Sequence, residues 1–250
     1  ALGFICFLSL SSLLPYGRVQ GQSEDALLVQ APDTSAFPII SVQFKLPESV
    51  EVAGEELLAA QISVLEDGRE VPIHSLQKAR LGVHFSLAIN GGRDLDLRDA
   101  DGSSNFDKLR GVLRDWAFRR EDFPEGSWSL LINGSPNLIN ISKKEDWLGA
   151  LMASEPDFRS MTPDLSSLST AIQYAETRVV PFGVDKAVLY LTPPPDVSQI
   201  NEISTLAEKA RSAGIQVNVW MVGEPLFLNN DQGEVLMALS ERTGGSFCNF

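Results

Sequence analysis

Two apolar runs, residues 186–192 and 215–222, flank a segment with helical spacing, and this pattern constrains the fold more than any other feature. Ala187-Val188-Leu189-Tyr190-Leu191 and Val217-Asn218-Val219-Trp220-Met221 have almost no polar side, as expected of parallel strands covered on both faces. Between them Ile200, Ile203, Leu206, Ala207 and Ala210 share one stripe of a helix over 198–213, and Gly214 supplies its stop. Strand, helix and strand in this order require a sheet with helices laid against it.

The alternation extends over residues 81–250. Further strands are expected at 83–90, 127–132, 137–141 and 246–250, and further helices at 103–118, 165–177 and 233–243. In the first of these helices Phe106, Leu109, Leu113 and Trp116 share a face, and Ser103 or Ser104 caps the start. The short link through Asn133-Gly134 predicts a hairpin, hence one antiparallel strand. The expected class is α/β, a doubly wound, mostly parallel open sheet, with a small N-terminal β segment at 39–80. In that segment Ile40, Val42, Phe44 and Leu46 alternate with Ser41, Gln43 and Lys45, and Asp67-Gly68 marks a hairpin turn.

Ahead of it, residues 1–14 are nearly all apolar or small, and Val19-Gln20-Gly21 offers small residues before a polar stretch. Residues 1–21 read as a secretory signal, with an N-terminal membrane anchor as the alternative. The run opens on Ala1 without a basic region, so it reads as clipped upstream. Residues 22–38 show no period and read as a tether. A secreted or cell-envelope location is the expectation, and the N-terminus is the route to a membrane tether. The net charge of −13 repels phosphate backbones and anionic lipid, which argues against nucleic acid as a partner. Of the two cysteines, Cys6 lies in the apolar run and Cys248 near the end, so a processed chain holds no internal disulfide.

Several local motifs resemble the von Willebrand factor type A (VWA) domain, over about 81–250. Ser166-Ser167-Leu168-Ser169-Thr170-Ala171-Ile172-Gln173-Tyr174-Ala175 resembles its T-x-L-x-x-A-L-x-x-A helix start. Thr243-Gly244-Gly245-Ser246-Phe247 is similar to the T-G-G-x-[YF] turn into its last strand, and Gly214-Ile215 to the entry of the strand before it. Val64-Leu65-Glu66-Asp67-Gly68 resembles a hairpin often attached ahead of exported bacterial members. The resemblance implies a Rossmann-like VWA fold that continues past Phe250 into a further helix. It also implies a metal-ion-dependent adhesion site, built from D-x-S-x-S after the first strand, a Thr from a second loop and an Asp after the fourth strand.

Those positions fall on Asn90, Gly92 and Asp94, on Ser166 and on Pro193. A hard divalent cation needs several charged oxygens to offset its dehydration. Gly92 and Pro193 supply none from a side chain and Asn90 is neutral, so a degenerate site without a cofactor is expected. Asp94, Asp96, Asp99 and Asp101 crowd one loop ahead of Gly102, but their spacing misses a calcium-binding EF-hand loop, and a solvated acidic loop is the simpler reading.

The chain carries no G-x-S-x-G elbow, phosphate loop or dinucleotide turn, and only His74 and His84 are available as imidazole bases. His84 reads as a core or face residue of the first strand. Trp116, Trp128, Trp147 and Trp220 read as packing residues. The expected function is an extracytoplasmic protein-binding or adhesion module of VWA type, metal-independent and not an enzyme. Its partner surface is expected at the strand-end loops, with Asp94, Asp96, Asp99, Asp101, Ser166, Leu226 and Phe227 as candidates. Leu226 and Phe227 either present apolar surface or pack inward. The alternatives are a metal-dependent receptor for Mg²⁺, Mn²⁺ or Ca²⁺ that keeps Asp94 and Ser166 as ligands, and a scaffold domain of a larger envelope protein.

Overall fold

The Asp67-Gly68 dipeptide forms the tight turn its composition calls for. In a computed structural model, Asp67 and Gly68 have φ of 48° and 77°, the paired positive values that match a two-residue hairpin to strand twist. The structure describes residues 3–9, 28–29, 32–45, 62–79, 82–119, 127–180 and 184–250. The chain divides into two compact units, residues 1–81 with 181–183, and residues 82–180 with 184–250.

In the first unit, β1 (Gly3–Ser9), β2 (Leu28–Val29), β3 (Ile39–Lys45), β4 (Val64–Glu66), β5 (Arg69–Val71) and β6 (Ile73–Ala79) follow in sequence. β4 and β5 are the hairpin, and the other four form an antiparallel sheet in the order β2-β3-β1-β6. Phe44 is buried, with Ile62, Val64, Ile73 and Leu76 packed against it. Two strands lie outside the expected 39–80 segment. β1 occupies part of the apolar run at 1–14, and β2 part of the stretch read as a tether. Hydrophobicity alone does not separate a sheet-forming run from a signal core, and a two-residue strand leaves no period to detect. The cleavage and anchor readings around Val19-Gln20-Gly21 lie outside the described residues. Among the described residues, no helix is long and apolar enough to cross a membrane.

The second unit contains β7 (Val83–Ile89), α1 (Asn105–Arg119), β8 (Ser127–Ile132), β9 (Leu138–Ile141), α2 (Lys144–Ala153), α3 (Ser166–Thr177), β10 (Asp185–Thr192), α4 (Ile200–Ser212), β11 (Ile215–Met221), α5 (Asp231–Arg242) and β12 (Phe247–Asn249). Its sheet runs β12-β11-β10-β7-β8-β9, parallel throughout except for the β8–β9 hairpin. Alternate residues of each strand feed two cores, because successive side chains point to opposite faces. Ala88, Val188, Tyr190, Val217 and Val219 meet Leu168 and Ile172 of α3, Ile203 of α4 and Leu236 of α5. Phe85, Leu87, Ile89, Leu189 and Leu191 meet Leu109 and Leu113 of α1 and Trp147 and Leu151 of α2.

Ser104, rather than Ser103, caps α1. The Asp107 N–H donates to Ser104 Oγ (3.0 Å), and the Ser104 N–H donates back to Asp107 Oδ2 (3.0 Å), a reciprocal capping box. These Ser104 bonds, joined by Arg110, hold the Asp107 carboxyl down at about 2. α2 is absent from the sequence reading for a physical reason. Only Trp147 and Leu151 of its ten residues are buried, too few to register as a stripe. Its tie is specific all the same: the Trp147 indole donates to the Ser129 carbonyl (3.1 Å), and its ring lies 5.2 Å from that of Trp128.

The Thr243-Gly244-Gly245 turn has a mechanical basis. Thr243 Oγ accepts from the Val217 N–H (3.1 Å) and donates to the Leu239 carbonyl (2.8 Å), stitching the end of α5 to β11. Gly244 has φ of 71°, and a Cβ at Gly245 would run into the Val217 carbonyl oxygen. Any side chain there would push β12 off the sheet.

Candidate functional site

Four loops gather at the carboxyl ends of the parallel strands, where open α/β sheets form their crevice. They follow β7, precede α3, follow β10 and follow β11. Asn90, the first residue after β7, is fully buried and ties three of them together. Its Nδ2 donates to the Thr192 hydroxyl (3.0 Å) and the Tyr190 hydroxyl (3.2 Å), while its Oδ1 accepts from the Asp164 backbone N–H (2.8 Å). The Asn133 side chain, at the end of β8, accepts from the Gly91 N–H and donates to the Thr162 carbonyl (3.3 Å). Burial pushes the Tyr190 phenol up, so it stays a neutral hydroxyl in this network.

The next residues close the space above Asn90. A Cβ built on Gly92 would lie 2.7 Å from Pro163 Cγ and 3.3 Å from Pro193 Cγ. One on Gly91 would strike the Met161 sulfur and come within 2.8 Å of Asn133 Oδ1. Glycine is needed at both positions because two proline rings and a methionine already occupy the volume. Pro193 is itself buried.

Ser166, at the expected threonine position, starts α3. Its hydroxyl donates to Asp164 Oδ1 (2.6 Å), which also accepts the Ser166 N–H (2.9 Å). Asp164 thus forms an Asx turn leading into α3, and the sequence signal for it was an Asp two residues before a Ser at a helix start.

Tested against a hard divalent cation, the donors at these positions fit poorly. Asn90 has both ends of its amide engaged, Ser166 turns to Asp164, and Gly92 and Pro193 offer no side-chain oxygen. Asp94 is the remaining carboxylate of the set. Among the described residues, no group of three His, Cys, Asp or Glu is placed to share a metal ion.

The acidic loop divides into separate tasks. Asp96 pairs with Arg159 and with Arg98 (3.6 Å), and the Arg159 hydrogen bond holds its carboxyl low. Asp99 pairs with Lys108 (2.9 Å) and accepts the N–H groups of Asp101 and Ser103 (3.0 Å each), shaping the turn into α1. Asp101 is exposed. Asp94 differs from its neighbours: burial first, then the Glu224 carboxylate, pushes its carboxyl up against the opposing pull of Arg93.

Asp94 borders a cavity of about 370 Å³ that opens between the loops after β7, β10 and β11. Glu224, Asn105, Leu97, Phe227 and Phe250 share its wall. The Asn105 amide donates to the Asp94 carbonyl (2.9 Å). Of the two alternatives for the loop after β11, each residue takes one. Leu226 is 61% exposed, whereas Phe227 packs against the helical core. Asn133, Pro163, Asp164, Asn105 and Glu224 are the residues that sequence reasoning missed here.

His84 lies away from the crevice. It is buried on β7 with its ring 5.4 Å from that of Tyr174, and neither nitrogen finds a hydrogen-bond partner among the described residues. Burial, then the charges of Arg178 and Lys186, lowers its pKa to about 4, so it is neutral at physiological pH. His74 stands exposed on β6.

No family model matches the chain, and no curated protein matches it in sequence. Solved structures do match in fold. The VWA domain of SpRpn10 superimposes with a TM-score of 0.51 at 12% identity, over 68% of this chain and 88% of that domain. BatB from Bacteroides thetaiotaomicron gives 0.49 at 12% identity, over 68% of this chain and 90% of that one. An aerotolerance-related membrane protein from Bacteroides fragilis gives 0.48 at 14%, over 68% and 92%. Together with the strand order and the Thr243-Gly244-Gly245 turn, the first of these establishes the class. The second unit has the von Willebrand factor type A fold.

Proposed function

We propose that this chain is a protein-binding module that uses the strand-end crest of its VWA-type unit without a metal ion. The observation that carries the reading is the pairing of a filled ligand position with an open crevice beside it. Asn90, Gly92, Pro163 and Pro193 occupy the region where cation ligands would stand. The cavity beside Asp94 remains open, and Leu226 stands exposed in the adjoining loop. An exposed apolar side chain in the loop beside a cleft that holds two carboxylates suits capture of a protein segment. The reading includes no catalytic role. Among the described residues, the titratable groups lining the cavity are two carboxylates, with no base or nucleophile paired to either.

Export to the cell envelope belongs to the same proposal. It rests on the apolar run at 1–14 and the small residues that follow it, read as a signal or anchor, although Gly3–Ser9 of that run forms strand β1 in this structure. Fractionation of cells that express the tagged chain tests that part.

The binding reading is tested with the immobilised chain, by comparing partner retention in Mg²⁺ and in EDTA, for the native chain and for Leu226→Ser. Equal retention with and without chelator, reduced by Leu226→Ser, is the expected result. Retention that requires Mg²⁺ would favour the metal-dependent receptor. Retention indifferent to changes in every strand-end loop would favour a scaffold.

A further inference from the structure

We infer that the crevice beside Asp94 receives an arginine side chain from a protein partner, clamped between the carboxylates of Asp94 and Glu224. This deepens the binding reading above and rests on it.

The lining decides the chemistry of the guest. Among the described residues its charged side chains are two carboxylates, and no Lys, Arg or His borders the cavity. Asn105 uses its amide N–H₂ on the Asp94 carbonyl (2.9 Å), so the acceptor end of that amide is the one left without a bond. Neither carboxylate has an ion pair or hydrogen bond among the described residues, whereas Asp96, Asp99 and Asp107 nearby are all engaged. The cavity therefore offers acceptors and lacks charged donors.

A guanidinium is the complementary group. It carries five N–H donors and no acceptor, and its planar fork meets carboxylates with two parallel bonds. It is also weakly hydrated, which suits a wall that is apolar at Leu97, Phe227 and Phe250. An aromatic ring in such a wall adds attraction for a cation above its face. The volume of about 370 Å³ lies in the range of sites that enclose one side chain and its flanks. A net charge of −13 draws a basic segment toward the chain from a distance. A hard metal ion is a poorer occupant, because five of the nine lining residues have no side-chain oxygen.

The direct test is an amide NMR titration of the whole chain with the peptide acetyl-Leu-Arg-Leu-amide. Two control peptides replace arginine with citrulline, which keeps the shape and removes the charge, and with glutamate. The expected result is saturable shifts at Leu97, Gly223 and Phe227 with the arginine peptide alone. Affinity should fall by about ten-fold for the citrulline peptide, and by a similar factor in Asp94→Asn and Glu224→Gln. Unchanged indole signals of Trp128 and Trp147 certify that the variants are folded. Equal binding of the citrulline peptide, unchanged affinity in both variants, or shifts confined to another face would each overturn the inference. Failure of the peptide while Leu226→Ser still weakens partner retention removes the arginine site and leaves the binding surface standing.

Discussion

The two halves of the strand-end crest are built on opposite principles. On the side of Asn90 the amide has partners at both ends and proline rings pack over the glycines that follow it. On the side of Asp94 and Glu224 two carboxylates line a cavity and, among the described residues, neither forms an ion pair. The first half is held together by buried hydrogen bonds, the second leaves acceptors for a guest. On the proposed reading, the fold closes the places where an ion's ligands would stand and keeps a crevice beside them.

The comparison breaks most easily on the closed side. Asn90→Ala should destabilise the chain by about 3 kcal/mol in urea unfolding, because it removes the acceptor of the buried Asp164 N–H and the donor shared by the Thr192 and Tyr190 hydroxyls. A cost under about 1 kcal/mol would mean that the network is open to water. Gly92→Ser should cost about 2 kcal/mol by overpacking against Pro163. Pro163→Ala in the same chain should recover part of that loss, a coupling read from a double-mutant cycle.

His84 sharpens the contrast within one strand, since it lies on β7 with neither nitrogen bonded among the described residues, while Asn90 just beyond has its amide engaged at both ends. The folded imidazole titrates at about 4 and the unfolded one near 6.5, so between those values the unfolded chain binds the extra proton. Stability therefore falls as pH drops from 6.5 toward 4, by at most about 1.4 kcal/mol per pH unit. His84→Phe should raise the melting temperature, more at pH 5 than at pH 7.5, by removing that dependence.

The smallest effect belongs to the open side. Asp94→Asn should stabilise the free chain slightly, by about 0.5 kcal/mol or less. Its carboxyl is raised in the fold, so its contribution is favourable when protonated at low pH and is lost as pH rises through the folded value. Loss of stability on this substitution would mean that Asp94 already has a structural partner.

Much of the second unit was legible in the sequence. Strands buried on both faces leave continuous apolar runs such as 186–192, and caps such as Ser104 mark helix starts. α2 was not legible, because a helix lying on the sheet through Trp147 and Leu151 shows too little period. β1 was not, because its partners are remote in sequence and an apolar run alone does not name them. The five positions Asn90, Gly92, Asp94, Ser166 and Pro193 were found from the resemblance. What surrounds them was not: Asn133, Pro163, Asp164 and Glu224 come from loops without periodicity, and only the fold brings them together. For Leu226 and Phe227, adjacent apolar residues in one short turn, the sequence could not decide which one faces the core.

The central claim is that this crest works without an ion. Calorimetric titration of the chelator-treated chain with Mg²⁺, Mn²⁺ and Ca²⁺ measures it directly. The account predicts no saturable heat with any of the three. Saturable binding that disappears in Asp94→Ala would contradict it.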